Sequence, residues 1–401
     1  MCYFQKSSFM KRAGALCCAA AFILAADLSS QAGSSGESGF RMGVNFCDWQ
    51  DRLGSEESLR ALHDLKSAGV RIVVFVPTWY QKTGKSVSIR RIRGKTPGDK
   101  GLMTDLRRAS ELGFETGIKF HIDTRDNTPR SNISFAKFEQ FEQWWMEYRD
   151  VAMHYARMAR LCDVDHFSVG CELSGVSIHP YTDHWIKLIR EIRKFLGKKG
   201  PAITYSARHQ NAANLAFLEE LDYIGLNAWP YLHSEAGESA EAAGKSWRKS
   251  IYFPETFQTV GKLDLGKRNM GQDLDFFAFM NFLSRLYNKP VVLTEFGCQS
   301  KHGVLTKPVD WWLPGAPDVL VQAMFYEGFF KELSADMQDF GKENPDTAYP
   351  LTSIWIWNYT PGRGGPKNTD YTFRNKPMTE KVISGFVEKV SNREDSGSGE
   401  E

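Results

Sequence analysis

Short apolar runs rich in Val, Ile, Phe and Tyr alternate along the chain with longer segments whose apolar residues recur every three or four positions. Eight of these runs read as strands: Met42–Phe46, Arg71–Val76, Glu115–Phe120, His166–Val169, Ala202–Tyr205, Tyr223–Leu226, Val291–Thr294 and Ser353–Trp357. They are nearly continuous in apolar character, which predicts strands buried on both faces of a parallel sheet. Leu59, Leu62, Leu65 and Ala68 mark a helix after the first strand. Phe138–Leu161 forms a long one after the third, Trp185–Leu196 follows the fourth, and Leu274–Leu286 precedes the seventh. Strand–helix alternation implies right-handed crossovers. Eight such units predict an α/β fold, a (β/α)8 TIM barrel in a single domain with loop insertions over 41–391. The polar stretch Ser234–Lys249 reads as a surface loop or insertion. An open doubly wound sheet is the rival, but no GxGxxG follows the first strand.

The ends of the chain break this pattern. Lys6, Lys11 and Arg12 precede an apolar run from Ala13 to Ala26, and Ser30-Gln31-Ala32 offers small residues for a peptidase. This predicts a cleaved signal peptide over 1–32 and a secreted or periplasmic protein, with no membrane association afterwards. The run falls short of the roughly 20 residues of a membrane helix. Gly/Ser-rich 33–40 reads as a flexible linker, and polar, acidic 392–401 as a disordered tail.

Composition narrows the chemistry. The 401 residues carry a formal net charge of +2, too weak a field to hold a nucleic-acid backbone, so no nucleic-acid partner is expected. With 27 Phe, 14 Tyr and 11 Trp the chain is no disordered polymer. Aromatic faces in such number serve the core or stack on sugars. Beyond the leader, Cys47, Cys162, Cys171 and Cys298 remain, too few for a disulfide scaffold, and one or two bridges are open to them.

In a barrel of this type the chemistry sits where strands end. Asn45 ends the first strand, Trp79 and Tyr80 follow the second, and Lys119 and His121 close the third. Asn227, Trp229 and Tyr231 follow the sixth, and Trp357 ends the eighth. Two carboxylates stand apart. Glu172 follows the apolar run ending in Val169-Gly170, and Glu295 follows Val291–Thr294. A carboxylate directly after a buried strand needs a polar cleft or a cationic partner. Salt-bridge duty at the barrel mouth is the plain alternative. Together with rim aromatics, a carboxylate pair about 5–5.5 Å apart suits retaining glycoside hydrolysis, in which one group donates a proton and the other attacks the anomeric carbon. Such chemistry needs no cofactor. The set Lys119-His121-Asp123 reads as substrate positioning rather than a metal site, and no GxSxG appears.

Over about Gly43–Val387 the chain resembles glycoside hydrolase family 113 of clan A, whose characterised members are chiefly endo-β-1,4-mannanases. The resemblance is carried by Val76-Pro77-Thr78-Trp79-Tyr80-Gln81, Lys119-Phe120-His121-Ile122-Asp123, Val169-Gly170-Cys171-Glu172-Leu173, Leu293-Thr294-Glu295-Phe296-Gly297 and the Trp355–Trp357 strand. It implies Glu172 as acid/base and Glu295 as nucleophile. Many clan A enzymes have Asn before the acid/base, where this chain has Cys171, and a strand-6 Tyr beside the nucleophile, matched here by Trp229 or Tyr231. The expectation is a monomeric, retaining hydrolase of β-1,4-mannosidic bonds in a polysaccharide or oligosaccharide. Trp79, Trp229 and Trp357 would serve as stacking platforms, and Asn45, Lys119, His121 and Asn227 as hydroxyl contacts. An exo-β-mannosidase, a β-glucanase or a non-catalytic carbohydrate-binding barrel are the alternatives.

Overall fold

The computed structural model describes residues 39–232, 239–250, 275–305 and 307–397. The expected signal peptide and all but the end of the linker lie outside them. The described residues form ten strands: β1 (Arg41–Phe46), β2 (Ile72–Phe75), β3 (Thr78–Gln81), β4 (Glu115–Lys119), β5 (His121–Thr124), β6 (His166–Cys171), β7 (Ala202–Arg208), β8 (Ile224–Ala228), β9 (Val291–Phe296) and β10 (Leu351–Tyr359). Eight close into a parallel barrel in the order β1-β10-β9-β8-β7-β6-β4-β2. All eight expected strands are its staves. The (β/α)8 barrel is thus the fold.

β3 and β5 were not anticipated as separate strands. They continue β2 and β4 beyond the barrel and pair in parallel as a two-stranded sheet, Trp79 opposite Ile122 and Tyr80 opposite Asp123. Pro77 interrupts the ladder between β2 and β3, since it has no N–H to give, while its carbonyl accepts from His121 N at 2.9 Å.

The principal helices are α1 (Glu56–Ser67), α2 (Asp99–Glu111), α3 (Phe138–Leu161), α4 (Ser174–Ser177), α5 (Thr182–Leu196), α6 (His209–Ala212), α7 (Ala240–Lys245), α8 (Phe276–Tyr287), α9 (Val319–Glu343) and α10 (Pro377–Gly397). α1 begins where Ser55 Oγ accepts from Ser58 N. α3 buries Phe141, Trp144, Tyr148, Ala152, Tyr155 and Ala159, a stripe at helical spacing that lies against the barrel. Among the described residues no helix is long and apolar enough to cross a membrane.

Two expectations change. Within Ser234–Lys249, read as a surface loop or insertion, α7 packs so closely on α9 that a Cβ on Gly328 would lie 2.1 Å from Ala240 O. Just after it Trp247 is fully buried, its ring 4.7 Å from that of Phe329. Glu241, Lys245 and Lys249 are exposed, and so short a helix shows no clear period in the sequence. At the other end α10 runs to Gly397, into the tail expected to lack structure. No Gly or Pro interrupts 386–396, so the helix has no local reason to stop.

Most of the apolar core lies between staves and helices. A smaller cluster, Ile72, Val74, Tyr223, Val292 and Trp355, plugs the barrel interior near the N-terminal ends of the staves. Gly43 leaves room for it: a Cβ there would come within 2.6 Å of Trp355 Cδ1. Above the plug the lining turns polar, with Ser168 Oγ 3.0 Å from Ser206 Oγ and then Asn45, Lys119, Asn227, Thr294 and Glu295, all buried.

Candidate active site

Both candidate glutamates stand where a stave loses its regular register. β9 slips against β8 between Leu226 and Asn227, so that Leu226 faces Leu293 and Asn227 faces Glu295. The extra residue lets Thr294 bond Asn227 while Glu295 also turns inward. β6 slips against β7 between Ser168 and Cys171. At the bulge a Cβ on Gly170 would meet Tyr148 Oη at 2.6 Å, Tyr205 Cε2 at 2.8 Å and Trp185 Cη2 at 2.9 Å. Glu172 follows in the left-handed region, φ 55°. That conformation is strained for a non-glycine residue by about 1–3 kcal/mol. It is held by Glu172 N donating to Ser206 O at 2.9 Å and Leu173 N to Tyr205 Oη at 2.8 Å.

Glu295 is 5% exposed and bonded at both oxygens. Lys119 Nζ donates to Oε1 at 2.7 Å and Trp229 Nε1 to Oε2 at 3.1 Å. Burial by itself would raise its pKa, but Lys119, His121 and Arg130 outweigh burial and hold it far below the usual carboxylate range. Glu172 is half-buried, and its pKa is raised, by burial first and by the charge of Glu295 second. Arg130, Arg208 and a bond from Asn227 pull the other way. One carboxylate is thereby kept ionised while the other is biased toward holding a proton.

Arg130, from the turn Arg130–Asn132 after β5, organises the space between them. It pairs with Asp123 at 2.7 Å, donates to His121 Nδ1 at 2.5 Å and reaches Cys171 Sγ at 3.6 Å. Burial and then Arg130 push the His121 pKa well down, so the ring is neutral. A guanidinium only donates, which assigns the imidazole proton to Nε2. That atom faces Glu295 Oε1 at 3.5 Å, long for a hydrogen bond. His121 stacks on Trp357 with centroids 5.6 Å apart, and Lys119 Nζ lies 5.0 Å from the same ring. Trp49 closes on Trp357 at 6.3 Å. Asn227 Nδ2 donates to Cys171 Sγ at 3.4 Å, and the thiol lies 3.5 Å from Glu295 Oε1.

The structure therefore groups Glu172, Glu295, Lys119, His121, Asn227, Trp229 and Trp357. Four other expected site residues point elsewhere. Asn45 directs its amide N–H groups at the carbonyls of Thr294 (3.0 Å) and Trp355 (3.1 Å), clamping β1 to β9 and β10 instead of facing a sugar hydroxyl. Trp79 donates to Tyr155 Oη at 2.8 Å and packs against α3, its ring 6.0 Å from that of His154. Tyr80 sits in the β3–β5 sheet next to Asp123, with Lys95 Nζ 5.9 Å from its ring. Tyr231 donates to Asp310 Oδ1 at 3.0 Å. Trp229, expected as a platform, presents its N–H edge to Glu295 and its ring to Tyr371 at 5.5 Å. Sequence reading missed Arg130, which lies in a loop with no spacing to mark it.

His121, Cys171 and Glu295 bring potential metal-ligand atoms within 4.8 Å of one another. Lys119 and Arg130 already place two cationic groups on those atoms, which opposes a third. Among the described residues Cys47, Cys162, Cys171 and Cys298 are buried and form no disulfide.

A (β/α)8 barrel whose mouth holds one buried and one half-buried carboxylate in opposed environments defines the class: this is a glycoside hydrolase. The chain belongs to Glycoside Hydrolase Family 113, whose family model matches residues 42–338. No curated protein sequence matches it. Among solved structures it is similar to the family 113 β-mannanase of Alicyclobacillus acidocaldarius, at 22% identity and a TM-score of 0.70 over 88% of this chain and 98% of that one. It is also similar to a family 113 β-1,4-mannanase, at 20% identity and a TM-score of 0.68 over 87% and 99%. A family 5 mannosidase from Rhizomucor miehei shares the fold at 10% identity and a TM-score of 0.56, over 90% and 95%. Likeness at these identities is likeness of fold.

Proposed function

We propose that this protein is a retaining endo-β-1,4-mannanase. The observation that carries the reading is the opposed setting of the two glutamates: Glu295 ionised by Lys119 and its neighbours, Glu172 biased toward its protonated form. Mannan as substrate is supported by family membership and by the mannanase activity named for two similar structures. In the first step Glu172 gives its proton to the glycosidic oxygen while a Glu295 oxygen bonds the anomeric carbon. The leaving sugar departs with that proton, and a glycosyl ester remains. In the second step Glu172, now ionised, takes a proton from water as the water oxygen displaces Glu295. Lys119 and Trp229 hold the carboxylate in place throughout, so attack needs little reorganisation. Export through the basic and apolar leader is part of the same proposal, and the mass of the mature protein tests it.

The deciding experiment incubates the protein with β-mannan, β-glucan and xylan and follows reducing ends together with the anomer released, by NMR. Oligosaccharides from mannan in the β configuration are expected. Initial release of the α anomer would overturn double displacement. Cleavage of glucan instead would move the substrate, and early release of mannose alone would make the enzyme an exo-mannosidase.

A further inference from the structure

The mouth carries a feature that the chemistry at Glu172 and Glu295 does not use. The chain leaving β9, the strand that carries Glu295, makes a long excursion before α9. Its base is closed by backbone pairing: His302 N donates to Ala316 O and Asp318 N to Ser300 O, each at 2.9 Å. Near its tip stand Trp311 and Trp312, 59% and 62% exposed, ring centroids 6.0 Å apart and planes at 83°. Every other tryptophan among the described residues is buried or half-buried.

The pair is held rather than left loose. Lys301 Nζ donates to the carbonyls of Trp311 and Leu313, and Gln299 Nε2 reaches Trp311 O at 3.4 Å. The loop is also tied to the frame of the nucleophile. Tyr371 Oη donates to Pro308 O at 2.8 Å, and its ring packs on Trp229, whose indole N–H holds Glu295. Tyr231, from the neighbouring mouth segment after β8, donates to Asp310. Two adjacent indoles kept in water on a braced loop form a preformed apolar surface, and little order is lost when something lands on it.

We propose that Trp311 and Trp312 form a sugar-stacking platform. It would take a pyranose ring of the same polysaccharide chain whose bond is cleaved at the glutamates. A pyranose offers a flat C–H face, which an indole face matches, and the right-angled second indole closes one side of the ring. The loop follows the nucleophile strand, so the platform lies at the end of the barrel where a bound chain emerges. The proposal rests on the polysaccharide reading above and adds an outlying subsite to it.

The test uses the full-length Glu295→Gln protein, which binds without turnover. Calorimetry measures its affinity for mannotriose and mannohexaose, with cellohexaose and xylohexaose as parallel ligands. The same is done after adding Trp311→Ala, Trp312→Ala or both, and with Trp→Phe at each position. Each alanine is expected to lower the hexaose-to-triose affinity ratio about fivefold, with Phe restoring most of it. The ratio separates a lost subsite from general damage, which would weaken both ligands alike. An unchanged ratio in the double variant overturns the platform. If the Glu295→Gln protein prefers cellohexaose and the alanines still weaken it, the mannan reading falls and the platform stands. If it binds none of the hexaoses, both fall.

Discussion

The charge on Glu295 is set by its neighbours against the effect of burial, and this makes Lys119 and Arg130 the informative residues to change. Lys119→Met removes the nearest cation. The Glu295 pKa then rises, and because the proposed attack needs the ionised form, the acidic limb of kcat/KM is expected to move to higher pH, by about one to three units. Arg130→Met acts on both limbs, because Arg130 also lowers the Glu295 pKa, and its loss carries the acidic limb upward as well. Arg130 lowers the Glu172 pKa, so its loss lets that pKa rise and carries the alkaline limb upward. A pH profile of each variant on one soluble substrate checks both, and limbs that stay in place would sink the assignment. Stability follows the same signs. The depressed Glu295 contributes stability that is lost as pH falls through its folded pKa, and the raised Glu172 contributes stability that is lost as pH rises through its own. The grouped residues were legible because strand ends are legible: Glu172, Glu295, Lys119, His121, Asn227, Trp229 and Trp357 each follow an apolar run. Which way a strand-end residue points was not legible, so Asn45 was read as facing sugar when it clamps carbonyls. Arg130, Trp311 and Trp312 sit in loops, where no periodicity betrays them.

At the scale of elements, the two staves that carry the glutamates show why parity fails near a site. A regular strand puts alternate residues on one face. β6 and β9 each slip register just before their glutamate, and the slip decides what turns inward. Apolar runs revealed the eight staves because both faces are buried, and the same uniformity concealed the bulges. Gly170 is the marker of one of them. Its position beneath Tyr148, Tyr205 and Trp185 leaves no room for a methyl group. Gly170→Ala should destabilise the fold by about 1–3 kcal/mol through overpacking, read as a lower urea midpoint. It should also lower kcat, because relief of the clash displaces the turn that holds Glu172. A variant with wild-type stability and turnover would show that the bulge tolerates the methyl. The helices divide similarly. α3 was legible from a clean stripe of aromatics, whereas α9 carries apolar residues such as Val321, Phe325, Phe329, Phe330 and Leu333 mixed with polar ones on a broad face, and α7 is too short to show a period.

Across the whole molecule the barrel separates its tasks along its axis. One end is plugged by Ile72, Val74, Tyr223, Val292 and Trp355, and the other holds the carboxylates and their cations. Trp355 and Trp357 belong to the same stave. One anchors the plug and the other lines the mouth. Their substitution should therefore separate stability from function. Trp355→Ala removes a fully buried indole from a packed interior and should cost about 3–5 kcal/mol of stability, with kcat per folded molecule little changed. Trp357→Ala removes the ring against which His121 stacks and near which Lys119 lies. It should leave most of the stability and lower kcat/KM at least tenfold. Urea unfolding and active-site-titrated kinetics on the same two preparations measure both quantities. If Trp355→Ala lost turnover in proportion to Trp357→Ala, the plug and the mouth would be one mechanical unit. A rigid plug would then be part of how the barrel holds Glu295 in place. If they separate, the mouth is free to vary its loops, as the braced tryptophan loop beyond β9 illustrates, without drawing on the stability that the plug provides.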